Sequence, residues 1–189
     1  MYLLAVVVGY AVGSINPAAI IARMRGVDYR AVGSGNPGAT NIGRALGRKT
    51  GVAVALLDIL KGFLPAIVFV VWSGEIAVAE VAGFAAVLGH VTSPFLKGRG
   101  GKGVATSTGA FLAIEPIWLL PVLVVFGVVF GLSRRMGIAS VSAALALIPA
   151  SIVWHSEPSE IVFATALAGL IVLRHQSNIR AALASRRAS

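Results

Sequence analysis

Seven apolar windows, each cut off from the next by glycine, proline or charge, run through nearly the whole 189-residue sequence. They fall at about 2 to 22, 51 to 72, 76 to 93, 103 to 114, 117 to 132, 137 to 154 and 160 to 174. A hydrocarbon core about 30 Å thick needs roughly 20 apolar residues per helix. With 57% of its residues hydrophobic and 12% charged, the chain has lipid rather than water as its main solvent. The windows predict an all-α integral membrane protein of seven transmembrane helices, a single domain over 1–189 with a short basic tail from about residue 181. The fourth window is the shortest, and it reaches across only if its helix begins at Gly100 or Gly101 or the bilayer thins around it.

Charge sets the orientation. With the N-terminus outside, the cytoplasmic segments hold Arg23, Arg25, Arg30, Arg44, Arg48 and Lys49, then Lys97, Arg99 and Lys102, then Arg134 and Arg135, then Arg174, Arg180, Arg186 and Arg187. Of the 16 basic residues only Lys61 is left, inside the second window. The opposite face carries Glu75, Glu80, Glu115, Glu157 and Glu160 and no Lys or Arg. Were the fourth window not to cross, the later basic loops would turn outward against this rule. The expected orientation is therefore N-terminus outside and C-terminus cytoplasmic. MYLLAVVVGYAVG has no basic lead-in, so it reads as a first span and not as a cleaved signal.

The net charge of +9 is explained by the same rule and by anionic lipid headgroups. Membrane lipids are expected partners and nucleic acid is not. The absence of cysteine excludes disulfides, thiolate catalysis and cysteine metal sites. No metal and no cofactor is expected.

Two loops carry the chemistry. Loop one, Gly33-Ser34-Gly35-Asn36-Pro37-Gly38-Ala39-Thr40-Asn41-Ile42-Gly43-Arg44, mixes glycine, hydroxyls and amides. Glycine lets a backbone approach an anion closely, and Arg44 adds a bidentate cation suited to phosphate. Loop two, Lys97-Gly98-Arg99-Gly100-Gly101-Lys102-Gly103, leads directly into an apolar helix whose N-terminus attracts anions. It is not a Walker A loop, because Gly103 follows Lys102 where Ser or Thr is required. Within the second window Asp58 and Lys61 stand three apart on one helical face, as an intramembrane functional pair or as a structural anchor for loop one. His90, Ser140, Ser142, His175 and Asn178 all fall toward the cytoplasmic ends of their windows. No G-x-S-x-G elbow, H-E-x-x-H or His-x4-Asp pattern occurs. His155 and Glu160 have a similar spacing but lie on the acidic side.

Taken in order, Gly13-Ser14-Ile15, GSGNPGATN with Arg44, DILKG from Asp58 to Gly62, Leu88-Gly89-His90 with Pro94-Phe95-Leu96, GGKGVAT from Gly100 to Thr106, Ser140-Val-Ser142 and His175-x-x-Asn178-Ile179 resemble the bacterial acyl-phosphate:glycerol-3-phosphate acyltransferase family, called PlsY. The resemblance implies seven helices, an outside N-terminus and an active site on the cytoplasmic face of the bacterial inner membrane. It implies transfer of a fatty acyl group from acyl phosphate to the sn-1 hydroxyl of glycerol 3-phosphate, giving lysophosphatidic acid and phosphate, with no direct use of acyl-CoA or acyl carrier protein. By matching position, Lys102, His175, Asn178 and Ser142 are expected as catalytic. Ser34, Gly35, Asn36, Thr40, Asn41, Arg44, Gly100, Gly101, Gly103 and Ser140 are expected to bind substrate phosphate. The chain departs from the family pattern at Gly98, where an aromatic residue is usual, and in lacking Gly-x-Glu after Asn178.

Two phosphate anions call for two neighbouring anion sites at the interface. An acyl phosphate is already activated, so positioning and charge stabilisation suffice without a covalent nucleophile. His175, His90 or a substrate phosphate oxygen remain as proton acceptors, the last being favoured with Asn178 and His175 orienting it. The alternatives are a small anion or phospholipid transporter, which the apolar spans and acidic outer loops disfavour, and an inactive paralogue acting as a lipid-binding scaffold.

Overall fold

In the computed structural model, which describes residues 1–154 and 157–187, the first apolar window is two helices rather than one. Helix α1 (Tyr2–Ser14) stops at Ile15, and α2 (Pro17–Met24) starts two residues later. The cause is local. Asn16 is the N-cap of α2, its Oδ1 accepting the Ala19 N–H at 2.8 Å, and Pro17 takes the first helical position, where no N–H is needed.

The remaining helices are α3 (Ala39–Leu46), α4 (Arg48–Ser73), α5 (Ile76–Thr92), α6 (Val104–Ile114), α7 (Leu119–Ser133), α8 (Met136–Val153), α9 (Pro158–Arg174) and α10 (Gln176–Arg187). No strand occurs among the described residues. By length and apolarity, 5 stretches among these residues suffice to cross a bilayer: Tyr2–Met24, Arg48–Ser73, Ile76–Leu96, Pro116–Ser133 and Met136–Val153. Pro158–Arg174 and Gln176–Ala184 reach that length only as a pair bent by 57°. The expected fourth span is the 11-residue α6, which begins at Val104 and not at Gly100 or Gly101.

One expectation needs correction. Half of loop one is helix α3, because nothing between Ala39 and Leu46 breaks a helix once Gly38 has turned the chain. The expected tail is helical through Arg187. Glu80 is buried within α5. His155 lies outside the described residues, so its spacing from Glu160 has no structural counterpart here.

The chain divides into two compact units, Met1–Ile114 and Glu115–Ser189. In the first, α1 packs on α5 and α4 packs on α6, with small residues at both crossings. A Cβ at Gly13 would strike the Ala86 carbonyl, and one at Gly62 would strike the Thr106 carbonyl. Such backbone approach replaces the hydrophobic drive that lipid cannot supply between helices. In the second unit α8 packs between α7 and α9. Helix α9 opens with a reciprocal capping box between Glu157 and Glu160.

Candidate functional site

The break between α1 and α2 is the fixed point of the first unit. Three consecutive residues there hold three different segments. The Ser14 carbonyl accepts from the buried Ser93 hydroxyl at 2.7 Å, just ahead of loop two. The Ile15 carbonyl accepts from Lys61 Nζ at 2.7 Å. The Asn16 side chain donates from Nδ2 to the Pro37 carbonyl of loop one at 3.2 Å. A helix break exposes carbonyls that have lost their intrahelical partners, and the Ser93 and Lys61 donors satisfy those of Ser14 and Ile15.

Loop one is braced from within by Asn41. This buried residue on α3 accepts the Ser34 N–H at 3.0 Å and donates to the Tyr29 carbonyl at 2.8 Å. Gly35 donates its N–H to Val32, Gly38 to Asn36, and Asn36 to the Ser34 hydroxyl. The backbone donors of Ser34 to Asn36 are therefore turned into the loop, and what the loop shows outward is side chain. Ser34, Thr40 and Arg44 are exposed. Gly33, at φ 53°, lies where a Cβ would come within 3.2 Å of the Arg44 guanidinium, so the small residue lets the cation fold over the loop.

Loop two lies across the end of α5. The Gly100 N–H donates to Val91 and the Gly101 N–H to His90, both at 3.0 Å. Both N–H groups are thus directed at α5 carbonyls. Their glycine identity serves packing: a Cβ at Gly101 would strike the His90 ring, and one at Gly100 the His90 carbonyl. Gly103, at φ 87°, turns the chain into α6. Half-buried Lys102 sits just ahead of that helix N-terminus, where its charge and the positive end of the helix dipole have the same sign.

Beneath the loops Asp58 Oδ1 lies 3.0 Å from Lys61 Nζ and 3.5 Å from His90 Nδ1, all three side chains buried. The i, i+3 pair read from the sequence is therefore formed. His90, considered as a proton acceptor, is buried and lies against Gly101.

In the second unit His175 closes α9, and the buried ring holds its Nδ1 2.8 Å from the Ile171 carbonyl. A carbonyl only accepts, so Nδ1 is the donor of this contact. Asn178, on the first turn of α10, lies over Gly137 of α8, where a Cβ would come 2.6 Å from its Nδ2. Ser140 stands one turn after Gly137 on the same helical face, its hydroxyl donating to the Met136 carbonyl at 2.9 Å. Ser142, two residues on, points to another face.

Asn16 was not among the residues singled out from the sequence, nor was Ser93. The Asn16-Pro17 pair carries an N-cap signature, but it sits inside an apolar window whose average hides it.

Comparison with known proteins bears on this arrangement. Residues 3–185 match the family model described as "Glycerol-3-phosphate acyltransferase". A glycerol-3-phosphate acyltransferase of Aquifex aeolicus (strain VF5) is 40% identical over 182 residues, covering 96% of this chain and 95% of the relative. One from Anaeromyxobacter sp. (strain Fw109-5) is 42% identical over 186 residues, covering 94% and 91%. Among solved structures, the glycerol 3-phosphate form of PlsY, an integral membrane glycerol 3-phosphate acyltransferase, superposes with a TM-score of 0.93 at 40% identity over 98% of this chain and 93% of that one. Its lysophosphatidic acid form gives a TM-score of 0.91 at 39% identity over the same shares.

Proposed function

Because the chain belongs to the glycerol-3-phosphate acyltransferase family of integral membrane enzymes, we propose that it moves a fatty acyl group from acyl phosphate to the sn-1 hydroxyl of glycerol 3-phosphate. The products are lysophosphatidic acid and inorganic phosphate, a first step of phospholipid assembly. The observation that supports this reading is that Pro37 of loop one and Ser93, just ahead of loop two, are both tied to the α1–α2 break, through Asn16 and Ser14. A reaction between two phosphate-bearing substrates, one an ester and the other a mixed anhydride, calls for two neighbouring anion sites.

In this reading Arg44 with Ser34 and Thr40 holds one phosphate, and Lys102 at the α6 N-terminus holds the other. Asn36, Asn41, Gly35, Gly100, Gly101 and Gly103 shape these sites. The glycerol hydroxyl attacks the acyl carbonyl, the carbonyl–oxygen bond to phosphate breaks, and the pair of electrons leaves on phosphate. The hydroxyl proton passes to a substrate phosphate oxygen. Lys102 and Arg44 stabilise the charge that develops, while Ser140 or Ser142, His175 and Asn178 orient the reactants. The mixed anhydride is activated before it arrives, so acyl-CoA and acyl carrier protein have no direct part.

The membrane arrangement proposed with this function is a single seven-span domain in the bacterial inner membrane, N-terminus outside and site cytoplasmic. Helix α6 is its short crossing. At 1.5 Å per residue it spans only about 16 Å. Its close packing on α4 through Gly62 and Gly109 supports a crossing lined by protein rather than lipid.

The test is purified chain in mild detergent with palmitoyl phosphate and glycerol 3-phosphate, without CoA or carrier protein. Equal amounts of lysophosphatidic acid and phosphate are expected, and neither with Lys102→Ala. A requirement for acyl-CoA, or no product from folded protein, overturns the reading.

A further inference from the structure

We propose that Asp58, buried in α4, is a positioning residue for both anion loops, acting through Lys61 on the helix break that carries loop one and through His90 on the seat of loop two. The inference rests on the acyl-transfer reading for its kinetic readout but not for its geometry.

Asp58 Oδ1 has two neighbours that lead in different directions. Toward one side Lys61 Nζ, 3.0 Å away, donates onward to the Ile15 carbonyl at 2.7 Å. The next residue, Asn16, is the one that holds Pro37 of loop one. Toward the other side His90 Nδ1 lies 3.5 Å away. The His90 carbonyl accepts the Gly101 N–H, and the His90 ring fills the space that a Gly101 side chain would need. One carboxylate thus lies against the supports of both loops.

Stability alone does not account for such a cluster. A buried ion pair is about neutral against well-packed apolar residues of the same size, and in a membrane span an ionisable residue is costly. Apolar residues at 58 and 61 would pack α4 as well. They would not cap the Ile15 carbonyl or place a carboxylate 3.5 Å from the His90 ring. What the charges add is a defined position for groups at the loop bases, and acyl transfer between two bound anions is sensitive to displacements of about 1 Å.

The experiment uses the full chain in detergent with Asp58→Asn, His90→Ala and His90→Asn. Asp58→Asn keeps size and an acceptor but removes the charge. His90→Ala leaves the Asp58–Lys61 pair whole, and His90→Asn restores a donor near the Nδ1 position. KM and kcat are measured against each phosphate substrate, together with the rise in Tm that inorganic phosphate causes. Asp58→Asn is expected to raise KM for both substrates by at least about tenfold and to shrink the phosphate-dependent rise in Tm. His90→Ala is expected to raise KM for one substrate only, with His90→Asn recovering most of the loss. A lower Tm for Asp58→Asn with both KM values unchanged overturns the proposal, as does a change confined to one substrate. If Asp58→Asn does not fold, an unchanged KM in His90→Ala overturns it. A wild-type chain that makes no lysophosphatidic acid, yet gains Tm from phosphate that Asp58→Asn abolishes, sinks acyl transfer and keeps the positioning role. If phosphate stabilises neither protein and no product forms, both readings fall.

Discussion

Asn16 Nδ2 donates to the Pro37 carbonyl at 3.2 Å across 21 residues of chain, while the Oδ1 of the same amide caps α2 through the Ala19 N–H. A single side chain therefore starts a helix and fixes loop one to it. Asn16→Ala removes both bonds. Loss of the cap costs about 1 kcal/mol and an unsatisfied buried carbonyl roughly 1–3 kcal/mol. The expected outcome is a Tm several degrees lower and kcat/KM down by about tenfold. Asn16→Asp keeps the cap and loses the donor, so its Tm should fall between the two. Wild-type kinetics for Asn16→Ala would separate loop one from the helix break.

Arg44 is exposed on α3 and folds over Gly33, so the fold gains little from it. Arg44→Ala should leave Tm within about a degree while lowering kcat/KM by roughly 10²–10³. Arg44→Lys keeps the charge without the planar fork and should recover only part of the loss. Equal activity of the lysine variant would mean that charge alone is recognised there.

Ser140 shares a helical face with Gly137, the residue beneath Asn178, and Ser142 does not. Ser140→Ala should therefore lower kcat by at least about tenfold, and Ser142→Ala by less than about threefold. The reverse order in the same assay would place the reacting groups on the other face of α8.

Much of this was legible in the sequence. The apolar windows and the spacing of Asp58 and Lys61 correspond to helices and to a formed ion pair. The loop residues could be picked out because Gly, Asn, Ser and Arg serve no purpose inside a lipid-facing helix. The break at Ile15 and Asn16 was hidden because Pro17 is followed by AAII, which restores the window average. The commitment of the Gly100 and Gly101 N–H groups to α5 depends on a contact that no local pattern encodes. Likewise the 57° bend at His175 leaves an apolar helix without proline or glycine to announce it.

Helix crossings offer a test independent of activity. Gly62→Ala and Gly109→Ala each drive a Cβ into a backbone carbonyl, of Thr106 and Ile59 respectively. Backbone cannot swing away as a side chain does, so each should cost about 1–3 kcal/mol. Gly127→Ala meets nothing within 4 Å on α7 and should gain about 0.5–1 kcal/mol through helix propensity. Equal Tm for the three variants would remove the argument that glycine serves the α4–α6 approach.

Glu115, just before the Pro116–Trp118 turn, has its carboxyl pushed above the ordinary carboxylate range, first by burial and then by the neighbouring Glu160 carboxylate. The folded chain therefore holds this proton at pH values where the unfolded chain has released it. Since the folded state binds more protons in that window, stability falls as pH rises from the ordinary carboxylate value through the raised folded one. Above both values the penalty is complete. Glu115→Gln mimics the protonated form and should raise Tm at about pH 7, with the gain fading as pH drops from the raised folded value to the ordinary carboxylate value and gone below it. Thermal melts of the two proteins across this range decide the matter. A gain that persists unchanged in acid would assign it to packing of the amide, and no gain at neutral pH would mean that the carboxylate is solvated as well in the folded chain as in the unfolded one.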